Sequence, residues 1–261
     1  MGNLRSALLS AILAPALALA QSPARPALEP GEGLSITGER DVQSFGEALA
    51  PGPMGPLAHL VWVRLEGDAW ASAVSSFKCT GAAGPYRCIA PKGHGRVDLA
   101  RAVQSGCSLA LMAWANVSAA QWKQIYGDGA ARTRLLEVFE PFVGRRVPPG
   151  EALPALDATW FGEGDRLRTS PDALARWLAD PAQEEALRLY RRLFLSFLDQ
   201  TFKEHAWWFD AVEVKEADGT TRGWAVGGND LVTAVLRLRP GTTAAQAKAR
   251  FMAVLVGGPK K

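Results

Sequence analysis

Apolar and polar positions divide the chain into a helical middle and a β-rich end. Leu57–Leu65 is apolar after a broken start, Pro51-Gly52-Pro53-Met54-Gly55-Pro56, and predicts a helix. Val97–Ala115 is strongly apolar, opened by Asp98, and long enough for a buried central helix. Ser118–Tyr126 and Arg132–Phe142 predict two further short helices. Ser170-Pro171 is a helix start, Ser as the cap and Pro at the first helical position. That helix is expected to run to about Ala179, and Ala182–Phe202 to form a second, amphipathic one. Beyond it the pattern changes. Trp207–Lys215, Arg222–Val226 and Leu231–Leu238 have strand composition, with a turn at Asp218-Gly219. Thr243 opens a closing helix, Ala244–Val256, and Leu34–Ile36 predicts one early strand. Cys79–Gly95 is rich in Gly and Pro without a clean period and reads as a loop. Helices in the middle with an antiparallel meander at the end define an α+β class.

Composition narrows this picture. The 261 residues are 48% hydrophobic and 21% charged, enough for a large core and too apolar for a disordered chain. Three cysteines are too few for a disulfide-dense scaffold. The formal net charge of +3 is weak and reads as dispersed, so nucleic acid is not an expected partner. Met1–Ala20 carries Arg5, an apolar stretch from Ala7, and Ala18-Leu19-Ala20 before Gln21. This is the layout of a secretory signal with an A-x-A cleavage site, and Pro15 interrupts it as a membrane span. The expected organisation is a signal over 1–20, a flexible lead-in over 21–33 and one domain over 34–261. The product is exported to the periplasm or cell envelope, without a membrane span after cleavage.

All three cysteines fall in one stretch, Cys79, Cys88 and Cys107, with His94 among them. Three thiolates and an imidazole complete a closed tetrahedral site of the kind zinc takes structurally. The same residues also allow a Cys79–Cys88 disulfide, a buried Cys107 thiol and an ordinary hydrogen bond from His94.

Tyr86-Arg87-Cys88, then Lys92-Gly93-His94-Gly95-Arg96-Val97-Asp98-Leu99, Ala102-Val103 and Cys107 resemble a stretch of the penicillin-binding transpeptidases. Gly162-Glu163-Gly164 with Leu167–Leu174 is similar to a second segment of that family and of class D β-lactamases, and Gly223–Gly227 to a third. The resemblance implies the serine β-lactamase/transpeptidase fold, an antiparallel sheet packed against a helical region. It also implies zinc at Cys79, Cys88, His94 and Cys107, as in some members. It further implies three catalytic motifs, and these are degraded. Where the family reads P-G-S-T-F-K, Pro53 replaces the nucleophilic serine and Pro56 the lysine. The second motif, Ser-x-Asn, becomes Gly106-Cys107-Ser108. The third, Lys-Thr-Gly, is best placed at Lys215-Glu216-Ala217, where only the lysine matches.

The expectation is therefore an exported, catalytically inactive relative. It would act as a binding or scaffold protein for peptidoglycan peptides or a cell-wall enzyme, with a structural zinc. The competing expectation is an active acyl-serine enzyme, a D,D-transpeptidase, carboxypeptidase or β-lactamase. That reading uses the literal Ser-x-x-Lys at Ser75 and Lys78, which requires both on one helical turn. His59 reads as packed rather than catalytic.

Overall fold

The computed structural model describes residues 27–38, 41–66, 76–88, 90–143, 158–180, 188, 207–229 and 232–257. The main sheet holds β1 (Gly33–Thr37), β2 (Val42–Gly46), β9 (Trp208–Lys215), β10 (Thr221–Gly228) and β11 (Thr233–Pro240). Its order is β2-β1-β11-β10-β9, and every pair of neighbours is antiparallel. Short ladders lie outside it: β3 (Gly52–Pro53) with β8 (Arg168–Thr169), β4 (Phe77–Cys79) with β7 (Gly95–Val97), and β5 (Ala82–Ala83) with β6 (Tyr86–Arg87). The helices are α1 (Ala58–Glu66), α2 (Leu99–Gln104), α3 (Ser108–Phe139), α4 (Pro171–Ala179) and α5 (Ala244–Phe251).

The central strands β1, β11 and β10 are buried over most of their length on both faces, while the edge strand β2 is exposed to half-buried. Along β10 the side chains alternate, so Trp224 and Val226 join the core of α1 and α3, while Ala225 packs with Phe251 of α5. The helical core centres on α1, where every residue from Ala58 to Val63 is buried. Trp62 stacks on Phe161 at 4.6 Å between ring centroids, meets Phe139 at 4.9 Å, and donates to the Trp160 carbonyl at 2.8 Å. Burying both the indole ring and its N–H partner makes this tryptophan an anchor between α1, α3 and the 158–161 turn.

Local signals set the helix boundaries. The Ser170 hydroxyl accepts from the Ala173 N–H, and Thr243 with Gln246 forms a capping box on α5. Asp172 takes the Ser44 hydroxyl at 2.7 Å and the Arg176 guanidinium at 2.8 Å, joining α4 to β2. The neighbouring Arg176 holds the Asp172 carboxyl below its ordinary range.

Several expectations change. The apolar run Val97–Ala115 is not one helix. Val97 closes β7, α2 ends at Gln104, and Gly106 turns the chain at φ +64° before α3 begins. Ser118–Tyr126 and the start of Arg132–Phe142 belong to α3, which breaks at Gly127 (φ 82°, ψ 164°). Cys79–Gly95 is a set of short ladders rather than a bare loop. β2 is an element the apolar pattern did not predict. The end of the expected lead-in is fastened: buried Glu32 binds Arg250, with Nη2 to Oε2 at 2.9 Å. The signal segment 1–20 and the Ala182–Phe202 helix, apart from Arg188, lie outside the described residues.

Candidate metal centre and the start of α1

The short ladders bring three cysteines and a histidine together. Cys79 ends β4 opposite Gly95, and Cys88 follows β6, its N–H donating to the Gly81 carbonyl. His94 precedes β7, and Cys107 sits at the N-cap of α3. Their ligand atoms all lie within 4.8 Å of one another, and Cys88 Sγ is 3.2 Å from His94 Nδ1. The three cysteines are buried and unpaired as disulfides. A tetrahedral zinc with sulfur at about 2.3 Å spaces its ligands by about 3.8 Å, so a contraction of about 1 Å at most closes the site.

Electrostatics in the cluster is uneven. Burial works to raise the Cys79 thiol. The His94 and Gly81 N–H groups, with side-chain hydrogen bonds to His94 and Cys107, outweigh it and bring the thiol down to about 6. Burial pushes Cys88 up, and it pushes Cys107 far up against the Ala110 N–H. The arrangement can hold a soft or borderline cation, and its four protein donors leave no open position for catalysis.

Three segments meet at the start of α1. Pro53 lies in β3, paired with Arg168, and Met54 is buried. Gly55 is pressed from two sides. A Cβ there would stand 2.8 Å from Val214 Cγ2 of β9. A Cβ on Gly162 (φ +93°) would stand 1.8 Å from the Gly55 carbonyl oxygen, so position 162 accepts only glycine. From the third side the Val103 backbone of α2 is hydrogen-bonded to His59. Arg237 of β11, buried to 3% exposure, donates to the Ala50 carbonyl at 2.6 Å and fixes the approach to β3.

Cys79, Cys88, His94 and Cys107 are brought together. Gly106 is the turn between α2 and α3, and Ser108 is the buried first residue of α3. Pro53 and Pro56 flank the buried Met54-Gly55 pair. Lys215 is exposed at the end of β9, and strand alternation aims Val214 rather than Lys215 at Gly55. Ser75 lies outside the described residues. Lys78 is exposed in the middle of β4, opposite Arg96, so it is on a strand and not on the helical turn that a Ser-x-x-Lys pair requires. Val214 and Arg237 carry no motif in the sequence, whereas Gly162 stands in the Gly162-Glu163-Gly164 segment without its packing role being legible there. The visible signal for Arg237 is its place as a lone arginine in the apolar run Thr233–Leu238.

This architecture is the fold of the serine β-lactamases and penicillin-binding transpeptidases. A class D β-lactamase, the BSU-2 delta mutant, aligns at TM-score 0.57 with 11% identity, covering 86% of this chain and 90% of that one. The class D β-lactamase OXA-427 aligns at TM-score 0.55 with 14% identity, covering 86% of this chain and 97% of that one. Pseudomonas aeruginosa PBP2, solved in complex with WCK 5153, aligns at TM-score 0.56 with 11% identity, covering 93% of this chain and 75% of that one. No family model matches the chain, and no curated relative does.

Proposed function

We propose that this chain is a catalytically inactive, exported member of the penicillin-binding transpeptidase group. It acts as a binding or scaffold protein for peptidoglycan peptides or a cell-wall enzyme. One observation carries the reading: the approach to α1, where the resemblance puts a serine and a lysine, is Pro53-Met54-Gly55-Pro56. None of these side chains offers a hydroxyl or an amine. The space beside it is taken by Val214 and by the contact of Gly162 with Gly55. Gly106 removes the second hydroxyl, and Lys215 faces away. The strand conformation at Lys78 weighs against the acyl-serine alternative through Ser75.

Zinc at Cys79, Cys88, His94 and Cys107 belongs to the same reading. The donor set and its spacing fit that ion, and no disulfide competes for the thiols. Bound there, the ion would hold the thiols as thiolates and cross-link β4, the β6–β7 connection and the start of α3. Binding without turnover is tested by co-sedimentation of the chain with purified peptidoglycan sacculi and by assay of the released material. Retention with no peptide cleaved or transferred supports the reading; peptide release or cross-linking overturns it.

A further inference from the structure

The weak overall charge conceals a concentration. Between residues 76 and 107 stand Lys78, Arg87, Lys92, Arg96 and Arg101 against Asp98 alone, a local +4 within a chain of +3. All five cations are exposed, and among the described residues none has a carboxylate within ion-pair distance. Asp98 caps α2 by accepting the Arg101 N–H. Lys78 and Arg96 are direct cross-strand partners in the β4–β7 ladder, a like-charge pairing that costs stability. Phe77, Cys79 and Val97 point inward from the same ladder, so the outward face is cationic by alternation.

A second, independent feature leaves the same lobe. Cys107 starts α3, whose first segment runs from Ser108 to the break at Gly127. Large hydrophobic side chains exposed among the described residues are Leu49, Val117, Ile125 and Tyr126, and three of these four lie on that segment. Lys123, ion-paired with Asp128 at 2.9 Å, is beside the last two, and Trp122 is half-buried there. The β4–β7 ladder meets α3 at Trp114, whose ring lies 6.4 Å from that of Phe77, and at about 1.5 Å per residue Tyr126 stands about 18 Å further along the helix, beyond the reach of one small ligand. A dissolved polyanion would engage the cations and leave Ile125 and Tyr126 without a role. A bilayer surface offers anionic headgroups and an apolar layer together, and aromatic residues beside lysine suit that boundary.

We propose that the β4–β7 lobe and the end of the first α3 segment form a docking surface for a bilayer carrying anionic lipid headgroups. The contact proposed is with the bilayer surface; no helix among the described residues is long and apolar enough to cross a membrane. The proposal does not depend on the scaffold reading or on zinc.

The test is co-sedimentation of the full chain with vesicles of phosphatidylcholine alone and of phosphatidylcholine containing about one third phosphatidylglycerol. The expected result is binding to the anionic vesicles that weakens with salt, and much weaker binding to the neutral ones. Each cation near an anionic surface contributes about fivefold, so Lys78→Gln with Arg96→Gln should weaken binding about twenty-fivefold. Arg87→Gln with Lys92→Gln supplies a second pair if the first fails to fold. Ile125→Ser with Tyr126→Ser should remove the part of the binding that survives high salt. No difference between the two vesicle types overturns the proposal. So does unchanged binding in both charge variants, and so does capture by inorganic polyphosphate in solution with no capture by vesicles.

Discussion

Acid should destabilise this protein through one buried imidazole. His59 lies in α1, 2% exposed, hydrogen-bonded to the Val103 backbone, while its Nε2 finds no partner among the described residues. Burial brings its pKa down to about 4, against the opposing effect of the Val103 backbone. In the unfolded chain the imidazole returns to about 6.5. Between those values the unfolded state binds the proton and the native state does not, so native stability rises with pH across that window. On acidification the loss begins near pH 6.5 and is complete below about pH 4. The full separation corresponds to about 3.4 kcal/mol, of which about 2 kcal/mol falls between pH 7 and pH 5. Urea unfolding of the native protein and of His59→Gln, each at both pH values, isolates this contribution. Groups common to both proteins cancel in the comparison, and Asp172, already held below the ordinary carboxylate range, titrates beneath the interval. The native protein should lose about 2 kcal/mol more than the variant over that interval. Equal pH dependence in the two would refute the assignment of a buried, neutral His59.

Further outcomes follow from the same geometry. Gly162→Ala should destabilise by roughly 3 kcal/mol or more, because its Cβ meets the Gly55 carbonyl at an unfavourable φ; urea midpoints measure this. Ser170→Ala should cost about 1 kcal/mol through loss of the α4 cap, read in the same way. Protein purified without chelator should carry one zinc per chain by elemental analysis. Free zinc at a hundredfold over its Kd should stabilise the fold by about 2.7 kcal/mol, less as pH falls and protons compete for the thiolates. Pro53→Ser with Pro56→Lys should not produce β-lactam turnover, because Gly106 and Val214 still leave the constellation incomplete, and catalytic groups acting as a unit are not additive.

The sequence exposed the antiparallel meander, the capped helices and the four metal-ligand candidates, because each has a local signal: strand composition around an Asp-Gly turn, the Ser170-Pro171 and Thr243 caps, and soft ligands crowded into one stretch. Other features depend on tertiary structure. β2 reads Val-Gln-Ser-Phe-Gly, too polar and short to announce itself, and exists because β1 offers it an edge and Asp172 takes its Ser44. The run Val97–Ala115 looks continuous because Gly106 is one residue among many apolar ones, yet its positive φ redirects the chain. The ladders around Cys79–Gly95 have little propensity of their own; they close because the residues between them converge on one cluster. Residue type alone points the third motif to Lys215. Period-2 alternation, exposed Glu213, buried Val214, exposed Lys215, identifies Val214 as the inward residue.

Whether the fold persists without its nucleophile is decided by intact-mass spectrometry after prolonged incubation with a penicillin. The mass should stay unchanged, with the Pro53 and Pro56 side chains offering no oxygen or amine to the β-lactam carbonyl. A stoichiometric penicilloyl adduct, mapped by peptide sequencing to Ser75 or to any other serine of the chain, would contradict it.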